Sequence, residues 1–593
     1  MEEKKRKKDL GIFYTRGEVV SFIFDMLAIW KNSQPKRWKM KYPSVIDPAV
    51  GEGGFLKIAI EKEFTKPGWI FGLDIDEDAV RKWTEINLLR EFGGKEDDLE
   101  AHFFHQNGLE KIKWAQHKEK YFRKLKKEDI EKEQFDCVVG NPPYGGIGIG
   151  ELTLELEEAL YNFPIWKLAF RRKEKILNDQ LGMFGNVIKQ SEKDKLLKYP
   201  IEILFLDRFI QLAKPDGWIS IIIPDGVLAN LNSHYVREFL SSRTKIEAII
   251  SLPRETFKNV GTNAKTSILF LRKLKEKEKP EQDYKVFLAS VERINQDNFD
   301  LVVKAYEKLY NLERNRMKKS DLVQVTKNQS NKEIVIIRTD KKLNEMLNAK
   351  PYSRLNVDFW HPRFDQIYED LAHFSGKVVT LKTLLENQEV ISCDHVRASR
   401  NEQIGNFKTA YFTVDFIMPN GYDISSLVFA SDNSYKRLQR STLKLGDIAI
   451  AGSGQGSVGK SFIYRYQYEK AIVGDLFIIR TTKSISPYYL QVYLQTKYGK
   501  LQIQRFESGV SGQTHINKQE IEEFLIPLVK DKIQEQIELR YQQMTVWFDE
   551  AIENKKNNNI AAYKDNLDKS TKLLNDLVSK TEEIIRGERN EID

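Results

Sequence analysis

The chain has 593 residues, with 94 basic and 86 acidic side chains, so its formal net charge is a mild +8 and its length is too great for one hydrophobic core. Two cysteines exclude a disulfide framework and a cysteine-based zinc site. No apolar run reaches the roughly 18 residues of a membrane span, and the charged residues 1–8 lack the apolar core of a signal peptide, so a cytoplasmic protein is expected.

The first half of the chain alternates strand-like apolar runs with helical patterns. Predicted helices include residues 55–64 and 77–91, and the predicted buried strands are residues 44–49, 69–74, 102–106, 135–140, 218–224, 246–252 and 266–272. Strands that alternate with helices are typical of a doubly wound, Rossmann-like α/β sheet. We expect this α/β domain to occupy residues 1–290.

The second half of the chain has a different pattern. Residues 291–350 are highly charged with few apolar anchors, and we predict a helical connector there. Residues 351–530 contain short β-like runs between glycine turns, which predicts a second, α+β domain. Residues 531–593 contain few glycines or prolines and predict a long terminal helix or a helical hairpin.

A glycine-rich turn follows the first predicted strand, in the sequence Asp47-Pro48-Ala49-Val50-Gly51-Glu52-Gly53-Gly54-Phe55. Glycines let the backbone approach a nucleotide-like ligand closely. A dinucleotide-binding GxGxxG pattern would need a third glycine where this chain has Leu56. Asp74, before Ile75 at the end of the next strand, can accept both hydroxyls of a ribose, whereas Asp76 is interpreted as a helix N-cap. NAD and S-adenosylmethionine both contain a ribose, so these two motifs leave both cofactors open.

The predicted strand at residues 135–140 runs directly into Asn141-Pro142-Pro143-Tyr144. Prolines lack a backbone donor and fix φ, so carbonyl oxygens remain to accept hydrogen bonds. The Asn141 side-chain oxygen and the Pro142 carbonyl can both accept from one amino group. An aromatic amine is a poor nucleophile because its lone pair is delocalised, and two acceptors on its hydrogens would favour a pyramidal, more nucleophilic nitrogen. Tyr144 can stack on the base, and a plain turn is the alternative interpretation.

These motifs, in this order, resemble those of the DNA amino-methyltransferases whose cofactor motifs precede the catalytic motif. The resemblance covers about residues 9–273 and includes the M subunits of type I restriction–modification systems. It implies an enzyme that transfers a methyl group from S-adenosylmethionine to N6 of an adenine flipped out of double-stranded DNA, without a metal. It also implies a place in a restriction–modification or related defence system.

The resemblance assigns roles to individual residues as well. Thr15, preceded by Phe13 and Tyr14, lies in a motif that lines the methionine end of the cofactor, although Arg16 stands where the family commonly has proline. Asn107-Gly108 is similar to the motif that contacts the cofactor's adenine. Phe257 matches an aromatic that stacks against the flipped base, with a core phenylalanine as the alternative. The remaining implied cofactor residues are Asp47, Pro48, Ala49, Gly51, Gly53, Phe55, Asp74, Ile75 and Asn141.

Methylation of cytosine is the alternative reaction. Attack through cytosine C5 needs a cysteine nucleophile, but Cys137 lies within a predicted buried strand and Cys393 lies in the other domain. Cytosine N4 uses the same amine chemistry as adenine N6, and Asn141 favours adenine by family resemblance only. A non-catalytic DNA-binding or ATP-dependent subunit is the alternative from a different class.

Residues 454–461 satisfy the phosphate-binding pattern GxxxxGK[ST]. A P-loop must open a helix, whereas residues 462–466 are aromatic and β-branched and predict a strand. A glycine-rich hairpin is therefore favoured over an ATP site.

Residues from about 350 to 590 resemble one target-recognition domain of a type I specificity subunit, followed by its long helix. The resemblance implies a fusion of a modification subunit with half a specificity subunit. Candidate DNA contacts are Lys436, Arg437, Arg440, Lys460 and Arg505. Pairing through the terminal helix would produce a homodimer, and a separate restriction subunit is a further possible partner.

Overall fold

A computed structural model describes residues 15–33, 42–86, 102–114, 126–144, 153–174, 196–260, 264–314, 322–393, 408–431, 435–436, 439–454, 456–508 and 514–592. The chain divides into two units, Met1–Asp358 and Phe359–Asp593. Within the described ranges, no helix combines the length and apolarity needed to cross a membrane.

The first unit is built on one large sheet. Its strands are β1 (Val45–Asp47), β2 (Ile70–Asp74), β3 (Phe103–His105), β4 (Phe135–Gly140), β5 (Ala213–Pro224), β6 (Thr244–Ser251), β7 (Thr266–Lys273), β8 (Phe287–Val291), β9 (Val323–Lys327) and β10 (Glu333–Arg338). The ten strands lie in the order β3-β2-β1-β4-β5-β7-β6-β8-β10-β9. Pairing is parallel from β3 to β5, and β7 is antiparallel to both β5 and β6. The predicted α/β sheet is confirmed.

Helices connect and cover these strands. They are α1 (Gly17–Ser33), α2 (Gly54–Glu61), α3 (Glu77–Ile86), α4 (Lys127–Glu131), α5 (Leu154–Tyr161), α6 (Pro164–Glu174), α7 (Ile201–Leu212), α8 (Asp225–Ala229), α9 (His234–Arg243), α10 (Gln296–Arg314) and α11 (Leu343–Leu347). The core includes apolar side chains of α1, α10 and the strands between them. One example is Phe22 of α1, whose ring stacks on Phe299 of α10 with centroids 4.4 Å apart.

The strand order reverses between β1 and β4. From β1 the chain proceeds outward to β2 and β3, then returns to place β4 on the other side of β1. All six residues of β4 are buried, as expected for a parallel strand covered on both faces. In open α/β sheets, the carboxyl ends of the strands at such a reversal form a crevice that binds ligands.

The segment predicted as a helical connector, residues 291–350, is corrected by the structure. It contains α10, β9 and β10, and β10 pairs antiparallel with β8 inside the large sheet. Trp30 Nε1 of α1 donates to the hydroxyl of Tyr306 in α10 at 2.7 Å, which ties this segment to the start of the chain. The first unit therefore extends to Asp358 rather than to residue 290, because the apolar run in β10 is buried in its core.

The second unit contains several small sheets. Its strands are β11 (Lys377–Thr380), β12 (Ile391–Ser392), β13 (Thr409–Phe412), β14 (Ile417–Met418), β15 (Gly421–Tyr422), β16 (Val428–Ala430), β17 (Ile448–Ala451), β18 (Ser461–Ile463), β19 (Lys470–Val473), β20 (Leu476–Ile479) and β21 (Leu525–Leu528). They form the sheets β11-β21, β12-β20-β17-β18, β16-β13-β19 and β14-β15. The helices are α12 (Asp365–Ala372), α13 (Pro487–Gln495), α14 (Lys497–Phe506), α15 (Lys518–Glu522), α16 (Asp531–Lys556) and α17 (Ile560–Ile585).

The last two helices form a hairpin. Lys532 Nζ near the start of α16 pairs with Glu591 Oε1 beyond the end of α17 at 2.6 Å. Asn566 Nδ2 near the start of α17 donates to Glu550 Oε2 near the end of α16 at 3.2 Å. These contacts make the helices antiparallel, so of the two predicted forms the structure has the helical hairpin.

The GxxxxGK[ST] segment is a β-hairpin, as predicted. β17 and β18 pair antiparallel on either side of it, and the described residues directly after the glycines form strand β18 rather than a helix. The N–H groups of Ser457, Gly459 and Lys460 donate to the carbonyls of Gly454, Ala451 and Ser457 at 2.9, 2.9 and 3.0 Å. These donors are used within the turn, so it does not form the phosphate cradle of a P-loop.

Ile337→Ala tests the assignment of β10 to the core. Ile337 is fully buried, so loss of its side chain is expected to lower the free energy of unfolding by about 2–5 kcal/mol. The control Val323→Ala, on the neighbouring edge strand, trims a side chain that is 46% exposed and is expected to change that energy by about 0.5 kcal/mol or less. Urea unfolding followed by tryptophan fluorescence measures both; equal stability of the two variants would contradict the assignment.

Candidate functional site

The predicted motifs of the first unit lie at one edge of its sheet. β1 pairs parallel with both β2 and β4, so Asp47, Asp74 and Gly140 end three adjacent strands on the same side. The glycine turn follows β1, and Asn141 follows β4. The sheet reversal therefore brings together segments that are far apart in sequence.

Asp74 holds the glycine turn in place. Its Oδ2 accepts from the N–H of Gly51 at 2.7 Å, and its Oδ1 accepts from the N–H of Asp76 at 2.8 Å. Gly51 and Gly53 have φ of 52° and 85°, in the left-handed region that favours glycine. Burial raises the pKa of Asp74, while these backbone donors oppose the rise. The carboxylate thus orders the turn at the crevice where a ligand would bind.

Asp76 and Trp83 complete this arrangement. Asp76 Oδ1 accepts from the N–H of Asp78 at 3.3 Å, in agreement with its predicted N-cap role. Trp83 Nε1 donates to the carbonyl of Gly51 at 2.7 Å. The sequence analysis missed Trp83, and the available signal was that it is the one aromatic residue of this helix.

Asp47 is buried and serves the backbone. Its Oδ1 accepts from the N–H of Ala49 at 3.0 Å. A Cβ added to Gly140 would lie 2.5 Å from the same oxygen, so the end of β4 packs directly on this carboxyl. Burial raises the pKa of Asp47 to about 8. Asp47 therefore supports the turn from within the fold.

Asn141 is tied to the start of the described chain. Its Nδ2 donates to Thr15 Oγ1 at 3.1 Å, across 126 positions in sequence. Since the amide nitrogen is directed at Thr15, the amide oxygen is directed to the opposite side of the group. This contact joins two of the predicted motifs and gives the amide a defined orientation. Phe13 and Tyr14, the other predicted residues of the N-terminal motif, lie outside the described residues.

Tyr144 and Phe257 are in contact, edge to face. Their ring centroids are 6.4 Å apart with an interplanar angle of 81°. Tyr144 is 4% exposed and Phe257 is 0% exposed, and Phe257 packs within the main core. The structure brings the two predicted aromatics together, but perpendicular rings do not form a parallel slot for a base.

The loop after β3 packs against the glycine turn. A Cβ added to Gly108 would lie 1.8 Å from the carbonyl oxygen of Pro48, so only glycine permits this approach. Asn107 Oδ1 accepts from the N–H of Leu109 at 3.0 Å, which shapes the loop. Ile75, which follows β2, is 59% exposed. An apolar side chain, a carboxylate and an amide therefore line the same edge of the sheet.

The predicted DNA contacts of the second unit have different environments. Lys436, Arg440 and Lys460 are exposed, and Arg437 lies outside the described residues. Arg505 Nε donates to the carbonyl of Phe359 at 3.2 Å. The Arg505 guanidinium also lies 4.1 Å and 4.4 Å from the ring centroids of Phe359 and Tyr368. Arg505, predicted as a DNA contact, therefore has its guanidinium packed against aromatic rings of its own unit.

Comparison with known proteins identifies a family. Residues 2–403 match the model of the N-6 DNA Methylase family. The type II restriction enzyme and methyltransferase RM.Eco57I of Escherichia coli is 27% identical over 146 residues, which are 24% of this chain and 12% of that enzyme. The chain thus matches about one eighth of the length of that relative.

Solved structures of restriction–modification proteins are similar at low identity. The type IIG restriction endonuclease BpuSI is 15% identical with a TM-score of 0.42, covering 96% of this chain and 66% of that one. The M protein of the type I restriction enzyme EcoKI is 16% identical with a TM-score of 0.34, covering 58% of this chain and 66% of that one.

Asp47→Asn tests the buried acid. Because the pKa of Asp47 is raised to about 8, the folded chain binds one more proton than the unfolded chain between roughly pH 4 and pH 8, and stability falls as pH rises through this window. Asparagine does not titrate, so the stability of the variant should not fall in this way over the same pH range. We expect the free energy of unfolding of the variant, relative to wild type, to increase from about pH 5 to about pH 8 in urea unfolding experiments. A difference that is constant with pH would contradict the raised pKa.

Proposed function

The chain belongs to the N-6 DNA methylase family, and we propose that it transfers a methyl group from S-adenosylmethionine to N6 of adenine in DNA. The observation that carries this proposal is the hydrogen bond from Asn141 Nδ2 to Thr15 Oγ1. It orients an amide oxygen at the carboxyl end of β4, beside the glycine turn that follows β1. An acceptor fixed in that position suits the amino group of a base.

The residues at the sheet edge fit S-adenosylmethionine. In this proposal Asp74 accepts from the ribose hydroxyls, since a carboxylate has lone pairs beyond those used by Gly51 and Asp76. Exposed Ile75 offers an apolar surface to the adenine ring, and Asn107 lies in the adjoining loop. Thr15 faces the methionine end. When bound, the cofactor supplies an electrophilic methyl group on a sulfonium.

Asn141 and Pro142 would prepare the nucleophile. The Asn141 side-chain oxygen and the Pro142 carbonyl accept the two hydrogens of the adenine amine, which moves its lone pair out of conjugation with the ring. The amine held by Asn141 and Pro142 would then accept the methyl group that the bound sulfonium would supply, and the electron pair of the broken sulfur–methyl bond would stay on sulfur. The nitrogen releases one proton to solvent. Positioning and electrostatics supply most of the rate enhancement in this scheme.

Tyr144 would stack on the flipped base, with Phe257 supporting its ring edge. Extrusion of a base costs a few kcal/mol, and stacking on an aromatic returns about 1–3 kcal/mol. Because Phe257 is fully buried in the core, we assign the stacking surface to Tyr144 alone. Tyr144 is itself almost covered, so its ring must turn as the base enters.

The second unit would read the DNA sequence. This proposal rests on the resemblance to a target-recognition domain and on the exposed cations Lys436, Arg440 and Lys460. Cationic side chains on such a unit would bind phosphates and set register, whereas base edges would provide specificity. Arg505 is left out of the contact set because its guanidinium packs against Phe359 and Tyr368. A separate restriction subunit would complete a restriction–modification system.

Asn141→Ala tests the catalytic assignment. Removal of the amide acceptor is expected to lower the methylation rate by at least about a hundredfold and to leave DNA binding intact, because the candidate DNA contacts lie in the other unit. Transfer of tritium from labelled S-adenosylmethionine to DNA measures methylation, and fluorescence anisotropy measures binding. Gln329→Ala, in the exposed turn between β9 and β10, is the matched control.

Wild-type activity with the control and loss with Asn141→Ala would support the assignment. Retained methylation in the Asn141 variant would overturn the role of its amide. Mass spectrometry of digested DNA separates N6-methyladenine from N4-methylcytosine. Detection of N4-methylcytosine would show that the substrate is cytosine rather than adenine. Sequencing that detects modified bases would then give the recognition site.

Two copies of the chain would pair through the terminal hairpin. Leu539 and Val546 are 57% and 56% exposed and lie seven residues apart on one face of α16. We expect light scattering to give twice the chain mass of 69.3 kDa for wild type, and one chain mass for the double variant Leu539→Glu, Val546→Glu. A single-chain mass for wild type would reject pairing through the helix.

A further inference from the structure

Arg208 is a buried cation that none of the predicted motifs includes. It lies on α7, where the neighbouring side chains Leu206, Phe209 and Ile210 are apolar and buried, and it is only 4% exposed itself. Burial penalises the charged guanidinium and lowers its pKa, whereas Glu133 opposes this effect. A charge placed in such a site requires several hydrogen bonds to compensate for its lost hydration.

The compensating acceptors are two backbone carbonyl groups of one loop and one side-chain carboxylate. Arg208 Nε donates to the carbonyl of Gly108 at 3.0 Å, and Nη2 donates to the carbonyl of Glu110 at 2.6 Å. The third nitrogen, Nη1, donates to Glu133 Oε2 at 3.0 Å. All three nitrogens of the planar guanidinium are thus engaged, and two of them hold the backbone of the loop after β3.

Glu133 also binds the backbone of the same loop. Its second oxygen, Oε1, accepts from the N–H of Ile112, further along the loop. Glu133 has a φ of 51°, in the left-handed region that is costly for a residue with a side chain. Arg208 and Glu133 together therefore fix backbone groups of Gly108, Glu110 and Ile112.

The same loop is closely packed at Gly108. Gly108 packs so closely on the Pro48 carbonyl that an added Cβ would lie 1.8 Å from its oxygen, and Phe205 of α7 would lie 3.1 Å from the same Cβ. The loop is held between the glycine turn and α7. Any displacement of the loop moves Asn107 relative to the turn.

We propose that Arg208, with Glu133, is a positioning residue for the cofactor: it presses the loop that carries Asn107 against the glycine turn and so sets the affinity for the adenosine half of S-adenosylmethionine. This inference rests on the proposed function. Arg208 contacts the loop backbone from within the fold, so it acts on cofactor affinity and leaves the methyl-transfer step itself to Asn141 and Pro142.

Arg208→Lys is the test, because lysine keeps the charge beside Glu133 but lacks the planar fork that serves two carbonyls and a carboxylate together. We expect the Kd of S-adenosylmethionine, measured by calorimetry, to rise by about tenfold. The Kd of 5′-methylthioadenosine, which has no amino-acid tail, should rise by the same factor. The methylation rate at saturating donor should stay within about twofold of wild type, and DNA affinity should be unchanged.

Arg272→Lys is the matched control. Arg272 also binds carboxylates with several nitrogens, donating to Asp216 at 2.9 Å and to Glu278 at 2.6 Å and 3.0 Å. It lies on β7 opposite Trp218, away from the carboxyl ends that carry the site. The control should bind both ligands as wild type does. Equal weakening in the two lysine variants would overturn the inference, since the effect would then be general.

The remaining outcomes are also decisive. An unchanged cofactor Kd in a folded Arg208→Lys protein overturns the inference, and so does a fall in the saturated rate beyond about twofold. If circular dichroism shows that this variant does not fold, Glu133→Gln replaces it, with an expected loss of about threefold in affinity; wild-type affinity there overturns the inference. A wild-type protein that binds no S-adenosylmethionine would refute the proposed function, whereas a failure confined to Arg208 would leave that function standing.

Discussion

The close packing of Gly140 on the Asp47 carboxyl is the constraint on which the site depends. A side chain at position 140 would meet Asp47 Oδ1 at 2.5 Å, so the ends of β1 and β4 can approach only because glycine stands there. The glycine turn starts one residue after Asp47, and the tetrapeptide proposed to be catalytic starts one residue after Gly140. One contact between adjacent parallel strands thus sets the distance between the proposed donor and acceptor halves.

Two buried acids, at the carboxyl ends of β1 and β2, stabilise the glycine turn at an electrostatic cost. Burial raises the pKa of both Asp47 and Asp74, yet each accepts backbone N–H groups of the same turn. In their ionised form these acids would accept the backbone N–H groups more strongly, because charge-assisted hydrogen bonds are stronger, but burial favours the neutral form of both. The cost is a dependence on pH that a neutral side chain would avoid. An ordered turn is useful to a ligand site since the turn then need not be ordered again on binding.

Periodicity in the sequence predicted strands β1 to β7, including the edge strand β3, but not β8, β9 and β10 at the other edge of the sheet. The predicted strand at residues 135–140 coincides with β4 because all six residues are buried, and such a run has one simple interpretation. The apolar residues of β10 form a similar run, but its charged flanks suggested a connector. The environments of Phe257, Arg505 and Arg208 depend on partners 75 or more positions away in sequence. No local pattern reports such partners, so these side chains could only be assigned from the fold.

The GxxxxGK[ST] segment and the segment Asn141–Tyr144 differ in how their backbone hydrogen-bonding groups are used. In the GxxxxGK[ST] segment, the N–H groups that would bind phosphate donate to carbonyls of the same hairpin, so the matching letters carry no phosphate chemistry. In Asn141–Tyr144 the two prolines have no N–H to donate, and the amide nitrogen of Asn141 is directed to Thr15. Acceptors therefore dominate this segment, at the point where strand order reverses. The letters of so short a motif do not fix its chemistry, because the surrounding fold decides which of its hydrogen-bonding groups are used within the protein.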